Sequence, residues 1–247
     1  MKILAIDTAT EACSVALNNG TEQFQEFEIC PQQHSQRLLP MVDSVLKQAK
    51  MSLSDLDLLA FGRGPGSFTG VRIATGMIQG LALGTGLKVA GVSTLAAMAV
   101  EAASISQNTL IACATDARMG EVYFAVYQVK EGSCQQVIEE QVCPPDVAAR
   151  LLTDYVNQHA YTFVPAGTGW QAYEVLGALL PSDNEITVLY PNAAFMMDLA
   201  SSLYASGEVK VAAEVAPVYL RDKVTWKKLP GREYTSANWA PLFVFVV

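Results

Sequence analysis

The chain has 247 residues, of which 51% are apolar and only 16% are charged. This length makes one large or two small domains, and the apolar content supplies a core and excludes intrinsic disorder. The formal net charge of −8 argues against a direct grip on a phosphate backbone. With only two histidines, His34 and His159, the chain cannot by itself supply a multi-histidine metal site. So low a charged fraction leaves apolar surface for a partner.

The N-terminal sequence and the cysteines indicate the compartment. Residues 3–6 are apolar, but the run ends at Asp7 and is too short for the core of a signal peptide. Residues 73–87 carry no charge, yet they fall short of the ~20 residues that span a bilayer and contain several glycines. The five cysteines are scattered without a CxxC pair, which is typical of reduced thiols in a cytosol. We therefore expect a soluble, cytoplasmic protein that does not enter a membrane.

The apolar periodicity of residues 1–106 predicts strands that alternate with helices. Asn18-Asn19-Gly20 is typical of a hairpin turn. Pro40 falls inside the first predicted helix and indicates a kink or a later start. The predicted strands are 2–7, 12–18, 21–29, 56–61 and 88–92, and the predicted helices are 34–49, 71–83 and 93–103.

The second half of the chain repeats the plan of the first. Residues 4–17 and 112–127 both read as a buried strand, an aspartate, a short turn and an alternating strand, with Asp7 and Asp116 at the same place. Such symmetry predicts an α/β protein with two related lobes and a cleft between them. We expect an N-terminal lobe at 1–106, a C-terminal lobe at 107–233 and an apolar tail at 234–247 whose role the sequence leaves open. The predicted strands here are 109–115, 121–130, 134–142, 161–166 and 218–220, and the helices are 146–158, 170–180 and 192–206.

The two aspartate turns are candidate phosphate sites. Asp7 is followed by Thr8 and Thr10, and Asp116 is followed by Arg118. Hydroxyls and turn N–H groups donate to phosphate, and a strand-end carboxylate can hold Mg²⁺ through water. The alternative is an ordinary strand-end turn in which Asp and Thr bond their own backbone.

The glycine-rich loop at 62–70 is the most unusual local sequence. Its glycines allow close backbone approach, and it opens a helix whose N-terminus attracts anions. It matches neither the Walker A, the GxGxxG nor the GxSxG pattern. A tight strand-to-helix turn is the alternative to phosphate contact. The candidate contacts in this loop are Gly64, Gly66, Ser67 and Thr69, and Gly167 and Gly169 could border an adenosine in the second lobe.

Two further features indicate partners. Gly76, Gly80 and Gly84 are spaced four apart, which puts them on one helix face and permits close helix packing, either within the chain or with a partner. A basic cluster surrounds Trp226 and either contacts RNA or is a solvated terminal segment. Its members are Arg221, Lys223, Lys227, Lys228 and Arg232.

The strings LAIDTAT, GRGPGSFTGVR, GVSTL, TDARMGEVY and PVYLR resemble the bacterial TsaB (YeaZ) family over residues 1–233. The resemblance implies a duplicated two-lobe actin-like ATPase fold, as in sugar kinases and heat-shock chaperones, with mixed sheets flanked by helices. It also implies tRNA modification. Members of this family work with the catalytic paralogue TsaD and the ATPase TsaE to place a threonylcarbamoyl group on the adenosine beside the anticodon.

The chain departs from the catalytic paralogue at two places. Val92 to Met98 contain no metal ligand where TsaD has a histidine-rich stretch, and Ala9 stands where active ATPases of this fold have glycine. The resemblance therefore implies a non-catalytic subunit that stabilises TsaD, forms a homodimer when alone, and meets tRNA through the complex rather than directly. The implied interface lies on the helices at 34–49 and 70–86, with Leu38, Leu39, Val42, Val45, Arg72, Gly76, Gly80 and Gly84 as its candidates.

Neither a catalytic residue nor a metal site is expected in this chain, and no cofactor is assigned with certainty. Weak ATP or ADP binding at the cleft or at the partner interface stays open. The alternative function is a free-standing actin-fold ATPase or kinase that uses Asp7 and Asp116. A peptidase is disfavoured, because no Ser-His or Cys-His signature and no metal-spaced histidines are present.

Overall fold

The computed structural model describes residues 1–106, 110–130, 133–180 and 186–221, which form two mixed sheets flanked by helices. The strands are β1 (Ile3–Asp7), β2 (Ala12–Asn18), β3 (Gln23–Ile29), β4 (Leu58–Gly64), β5 (Val89–Ser93), β6 (Leu110–Asp116), β7 (Val122–Lys130), β8 (Ser133–Cys143), β9 (Val164–Ala166) and β10 (Val209–Lys210). The helices are α1 (His34–Ala49), α2 (Phe68–Thr85), α3 (Thr94–Ile105), α4 (Pro145–His159), α5 (Gly169–Ala172), α6 (Glu174–Gly177) and α7 (Met197–Ala205), with 3-10 turns at Leu53–Asp55, Ala193–Met196 and Ala212–Glu214.

The two sheets repeat one strand plan, as the sequence predicted. The first has the order β10-β5-β4-β1-β2-β3 and the second the order β8-β7-β6-β9. β1 pairs antiparallel with β2 and parallel with β4. β6 likewise pairs antiparallel with β7 and parallel with β9. Asp7 and Asp116 therefore end equivalent strands of the two sheets.

Helices or turns cover both faces of the central strands, and strands such as β1, β4 and β6 therefore have nearly continuous apolar sequences. One face of the first sheet packs against α1 and α2, and the other against residues 193–200. In the second sheet, α4 and Trp170 cover one face and α3 covers the other. Because α3 also contacts β4 and β5, it lies between the two sheets. No helix of the described ranges is long and apolar enough to cross a membrane.

One segment departs from the expected lobe division. Residues 193–200 pack on the first sheet beside Ile3 and Ala5, although the sequence places them in the second half. β10 then pairs antiparallel with β5 and forms an edge of the first sheet. The lobe boundaries stay a prediction, because this segment returns to the first sheet and residues 107–109 lie outside the described part of the chain.

Of the two alternatives at Pro40, a later start is excluded because α1 begins at His34, and a kink stays a prediction. Two other local predictions are wrong. The predicted helix at 170–180 is divided into α5 and α6, because Tyr173 is extended at φ −129° and ψ 118°. The predicted strand at 218–220 does not form. Val218 N donates to Arg63 O at 2.7 Å. The pairing does not extend further, because β4 ends at Gly64, the residue after Arg63, where φ is +102°.

Candidate functional site

Asp7 is fully buried at the end of β1. Its Oδ1 accepts a hydrogen bond from Ala9 N at 2.9 Å, and its Oδ2 has no hydrogen-bond partner. A Cβ on Gly62 would lie 1.7 Å from that Oδ2, so only glycine fits beside the carboxyl group. Burial raises the pKa of Asp7 to about 7, against a small opposing effect of the Ala9 hydrogen bond. The group is thus enclosed and partly neutral at physiological pH.

The loop at 62–70 packs directly on the turn that follows β1. Ser67 N donates to Ala9 O at 2.7 Å, and the Thr8 hydroxyl donates to Gly70 O at 2.7 Å. A Cβ on Gly66 would lie 2.4 Å from Ala9 O, and one on Gly70 would lie 2.0 Å from Thr8 O. These contacts use the polar groups that the sequence assigned to a phosphate.

Three other elements fix the same loop. The Thr94 hydroxyl at the start of α3 donates to Pro65 O at 2.5 Å. Tyr123 Oη of β7 donates to Gly66 O at 3.3 Å, which ties the loop to the second sheet. Gly64 lies against Val218, because a Cβ on this glycine would be 2.9 Å from Val218 O. The loop is therefore held from both sheets and from the C-terminal segment.

The second aspartate has partners on every side. Asp116 Oδ1 accepts hydrogen bonds from Arg118 N and Tyr173 Oη, both at 2.8 Å. Asp116 N donates to Thr168 Oγ1 at 3.1 Å. Arg118 then bridges the two turns, because its Nη2 lies 2.9 Å from Glu11 Oε1 beside the first aspartate turn. Arg221, C-terminal to the last strand, forms an ion pair with Glu121 at 2.6 Å, and this pair stabilises the turn.

The predicted site residues thus fall into two bridged groups. Thr10 serves its own turn, since its hydroxyl accepts from Ala12 N at 3.3 Å, and Thr69 is exposed in the first turn of α2. Around Asp7 lie Thr8, Gly64, Gly66 and Ser67, and around Asp116 lie Arg118, Gly167 and Gly169. Gly167 and Gly169 pack under Ala114, because a Cβ would lie 2.3 Å and 2.8 Å from its carbonyl oxygen.

A polar network that the sequence did not predict joins the loop to β8. Arg63 Nη2 lies 3.2 Å from Glu140 Oε2, and Tyr127 Oη donates to Glu140 Oε1 at 2.7 Å. Ser93, which caps α3, lies 3.4 Å from Tyr127 Oη. No sequence motif signals these partners, because they come together only when the two sheets pack.

The histidines and cysteines of the described residues do not gather into a metal-binding cluster. No group of three or more His, Cys, Asp or Glu side chains in the described ranges could hold a metal ion. His159 Nδ1 lies 2.9 Å from Tyr155 O, and His34 Nε2 is buried without a hydrogen bond. Burial raises the pKa of Cys13 to about 12 and that of Cys143 to about 11, which disfavours the nucleophilic thiolate.

The outer face of α2 is open. Gly76, Gly80 and Gly84 have nothing within 4 Å of an added Cβ, and Leu83 between them is 80% exposed. A groove of about 470 Å³ adjoins this face, away from the aspartate turns, and is lined by Leu53, Ser54, Gly80, Leu81, Gly84, Thr85 and Leu87. Because the three glycines carry no side chains, another helix can pack closely against this face.

The interface candidates on α1 need a correction. Leu38, Val42 and Val45 are buried in the core between α1 and the first sheet, so their side chains are not available to a partner. Their apolar spacing marks the face of α1 that packs on the first sheet. Leu39 is 52% exposed and is the one of these four leucines and valines that can contact another protein directly. Of the basic cluster, only Arg221 lies in the described residues.

The repeated strand plan, with an aspartate ending the first strand of each sheet, defines an α/β protein of the actin-like ATPase type. The family described as "TsaD: tRNA N6-adenosine threonylcarbamoyltransferase" matches residues 27–239. The "tRNA threonylcarbamoyladenosine biosynthesis protein TsaB" of Escherichia coli is 48% identical over 94% of this chain and 100% of its own. The protein of the same description from Haemophilus influenzae is 43% identical over 94% and 99%. This chain belongs to the TsaB (YeaZ) family.

Solved structures agree with this assignment. YeaZ from Pseudomonas aeruginosa has a TM-score of 0.80 at 42% identity, over 89% of this chain and 99% of its own. A second Pseudomonas aeruginosa crystal structure, described as a protein "with similarity to peptidase YEAZ", has a TM-score of 0.79 at 41% identity over the same shares. At 41% and 42% identity, these two structures support the family assignment as well as the fold.

Proposed function

We propose that this chain is a non-catalytic subunit required to make threonylcarbamoyladenosine in tRNA, beside the anticodon. It acts by binding and stabilising the catalytic TsaD, together with TsaE. The names of its relatives support the biosynthetic role, and the geometry of the two aspartate turns supports the absence of catalysis.

The observation that carries this proposal is the loop packed on the first aspartate turn. Phosphate binding in this fold needs free turn amides and an accessible carboxylate. Here Ser67 N already donates to Ala9 O, and the Asp7 carboxyl group is buried. The Cβ of Ala9 would lie only 2.8 Å from a Cβ added to Gly66, so the loop and the turn are in close contact.

The α2 face is the docking surface in this proposal. Its three exposed glycines and Leu83 allow a partner helix to approach closely, and the adjoining groove accepts side chains. TsaD is the partner within the working complex, and a second copy of this chain takes the same face when TsaD is absent. The subunit acts in the cytoplasm and reaches tRNA through the complex, since the formal net charge of −8 opposes direct binding.

Reconstitution tests the proposal. Purified TsaD, TsaE, the donor-forming enzyme and unmodified tRNA are combined with and without this chain, and threonylcarbamoyladenosine is measured by mass spectrometry of nucleosides. Modification is expected only with the chain present. Equal modification without it contradicts the proposal.

A matched pair of variants tests the docking surface. Gly80→Glu places a charged side chain on the α2 face and is expected to abolish TsaD pull-down and modification. Gln158→Glu adds the same charge at an exposed position of α4 and is expected to change neither. Survival of binding and modification in Gly80→Glu shows that the docking surface lies elsewhere.

A further inference from the structure

Arg72 is held in place at the first end of the α2 face. Its guanidinium carbon lies 3.6 Å from the centroid of the Phe68 ring and 5.6 Å from that of Tyr219. Its Nε donates a hydrogen bond to Tyr219 Oη at 2.7 Å. Two aromatic rings and one hydrogen bond thus fix the plane and the direction of this cation.

The charge of Arg72 has no acidic partner among the residues that the structure describes. Its Nε serves Tyr219, while neither Nη group makes a hydrogen bond to the described part of the chain. Four other arginines each pair with a carboxylate: Arg37 with Glu28, Arg63 with Glu140, Arg118 with Glu11 and Arg221 with Glu121. Arg150 of α4 also lacks an ion pair among the described residues, and Arg72 differs from it in the two rings and the hydrogen bond that hold its guanidinium.

The position of Arg72 continues the open face of α2. Residues four apart lie on one side of a helix, so Arg72 precedes Gly76, Gly80 and Gly84 along the same stripe. At 1.5 Å per residue, the stripe from Arg72 to Gly84 is about 18 Å long. One docked helix of about three turns therefore meets the cation at one end and Leu83 at the other.

We propose that Arg72 is the polar anchor of this surface and takes a carboxylate side chain of the TsaD subunit. This inference rests on the function proposed above. The planar guanidinium offers its two free Nη groups side by side, which matches the two oxygens of a carboxylate. The occupant is a protein acid because the cation borders a flat, uncharged helix face rather than a further cluster of basic groups.

Phe68 and Tyr219 are positioning residues in this arrangement. Their rings lie 5.6 Å apart, and the two residues are 49% and 44% exposed, so they hold Arg72 at the surface without burying it. The Tyr219 backbone is fixed in turn, because Val218 N donates to Arg63 O and Gln79 Nε2 donates to Val215 O. A side chain ordered before binding loses less entropy when the partner arrives.

Calorimetric titration of the full chain with TsaD at several salt concentrations tests the anchor. Arg72→Gln is expected to raise the Kd at least tenfold and to flatten its salt dependence, because the ion pair is lost. Arg72→Lys is expected to keep the salt dependence with a Kd between the two, since lysine keeps the charge without the paired donors. Tyr219→Phe, which removes only the hydrogen bond to Nε, is expected to raise the Kd a few-fold.

The outcomes separate this inference from the proposed function. An unchanged Kd and salt dependence in Arg72→Gln, with Gly80→Glu still abolishing binding, overturns the anchor and leaves the docking surface in place. Weakened self-association in light scattering, with unchanged TsaD binding, overturns it in favour of a second copy. Thermal unfolding of each variant identifies any general loss of fold, and Arg72→Lys then decides between lost structure and lost charge.

Discussion

Arg63 at the end of β4 and Glu140 of β8 form an ion pair of 3.2 Å that joins the six-stranded sheet to the four-stranded sheet. The carboxylate is 10% exposed and also accepts a hydrogen bond from Tyr127 Oη. Because a partly buried carboxylate with two donors is well shielded from solvent, this contact fixes the glycine-rich loop relative to β8.

Removing one member of this pair is expected to destabilise the protein. Glu140→Gln keeps the shape but loses the charge opposite Arg63, and we expect the free energy of unfolding to fall by about 1–3 kcal/mol. Urea unfolding of Glu140→Gln, Arg63→Met and the double variant measures the coupling between them. Asp43→Asn, in the solvent-exposed pair with Lys47, is the control and is expected to change stability by about 0.5 kcal/mol or less. If Glu140→Gln and Asp43→Asn lower the free energy of unfolding equally, the stabilising role assigned to the Arg63–Glu140 pair is contradicted.

The glycines of the loop and of the helix face are expected to respond oppositely to alanine. Gly70→Ala puts a Cβ 2.0 Å from Thr8 O, and the required backbone shift is expected to cost about 2–4 kcal/mol. Gly76→Ala meets nothing within 4 Å and is expected to stabilise the helix by about 0.5–1 kcal/mol. Thermal and urea unfolding of both variants check the contrast. A stable Gly70→Ala protein is incompatible with the packing of the loop on the turn.

Asp7 makes the stability of the isolated chain depend on pH. Its pKa is about 7 in the folded protein against an ordinary value of 3.8, so the folded state binds more protons between these values. The free energy of unfolding therefore falls as the pH rises from about 4 to about 7, by about 1.4 kcal/mol per unit, and levels off above that. We expect Asp7→Asn to remove the part of the slope that Asp7 contributes, measured as urea unfolding at pH 5, 6, 7 and 8.

A second buried acid provides the comparison for that experiment. Burial also raises the pKa of Glu101 on α3, from 4.5 to about 7, and its Oε2 has no hydrogen-bond partner. Glu101→Gln is expected to remove a comparable part of the slope over a slightly narrower range, from about pH 4.5 to about pH 7. If Asp7→Asn retains the whole slope of the unmodified protein, the neutral buried state of Asp7 is ruled out.

Nucleotide binding decides between the subunit and the free-standing ATPase or kinase. Because the loop amides and Asp7 are engaged inside the chain, we expect no micromolar binding of Mg-ATP to the isolated protein. Isothermal titration calorimetry and a phosphate-release assay measure binding and turnover. Micromolar affinity together with turnover that is lost in Asp116→Ala favours the enzyme instead.

The strand plan and the aspartates could be predicted because they depend on local patterns. Buried strands such as β1 and β6 are continuous apolar runs that end in aspartate, and this pattern marks the duplication. The alternation of residues 121–130 predicted one face with Val122, Phe124, Val126 and Gln128, of which the first three are buried. Ala125 and Tyr127 are buried as well, because α3 covers the opposite face, and strand periodicity carries no information about a distant helix.

The contacts of the site could not be predicted for a similar reason. Each glycine of the loop was visible as a residue that permits close approach, but its neighbour was not. Gly62 lies against Asp7, and Gly66 lies against Ala9, in each case more than fifty positions away along the chain. The spacing of Leu38, Val42 and Val45 predicted an apolar face correctly, and the family resemblance assigned these residues to a partner although they face the core. Periodicity shows that a face is covered and does not identify what covers it.

The return of the chain to the first sheet has a consequence for its synthesis. Ile3 and Ala5 stay uncovered on one face until Met196, Met197 and Ala200 arrive to pack against them. As the chain leaves the ribosome, the first sheet is therefore completed only after the second has been made, and its half-covered face needs protection in the meantime. A nascent chain stalled before residue 193 is the species in which a chaperone would find that face.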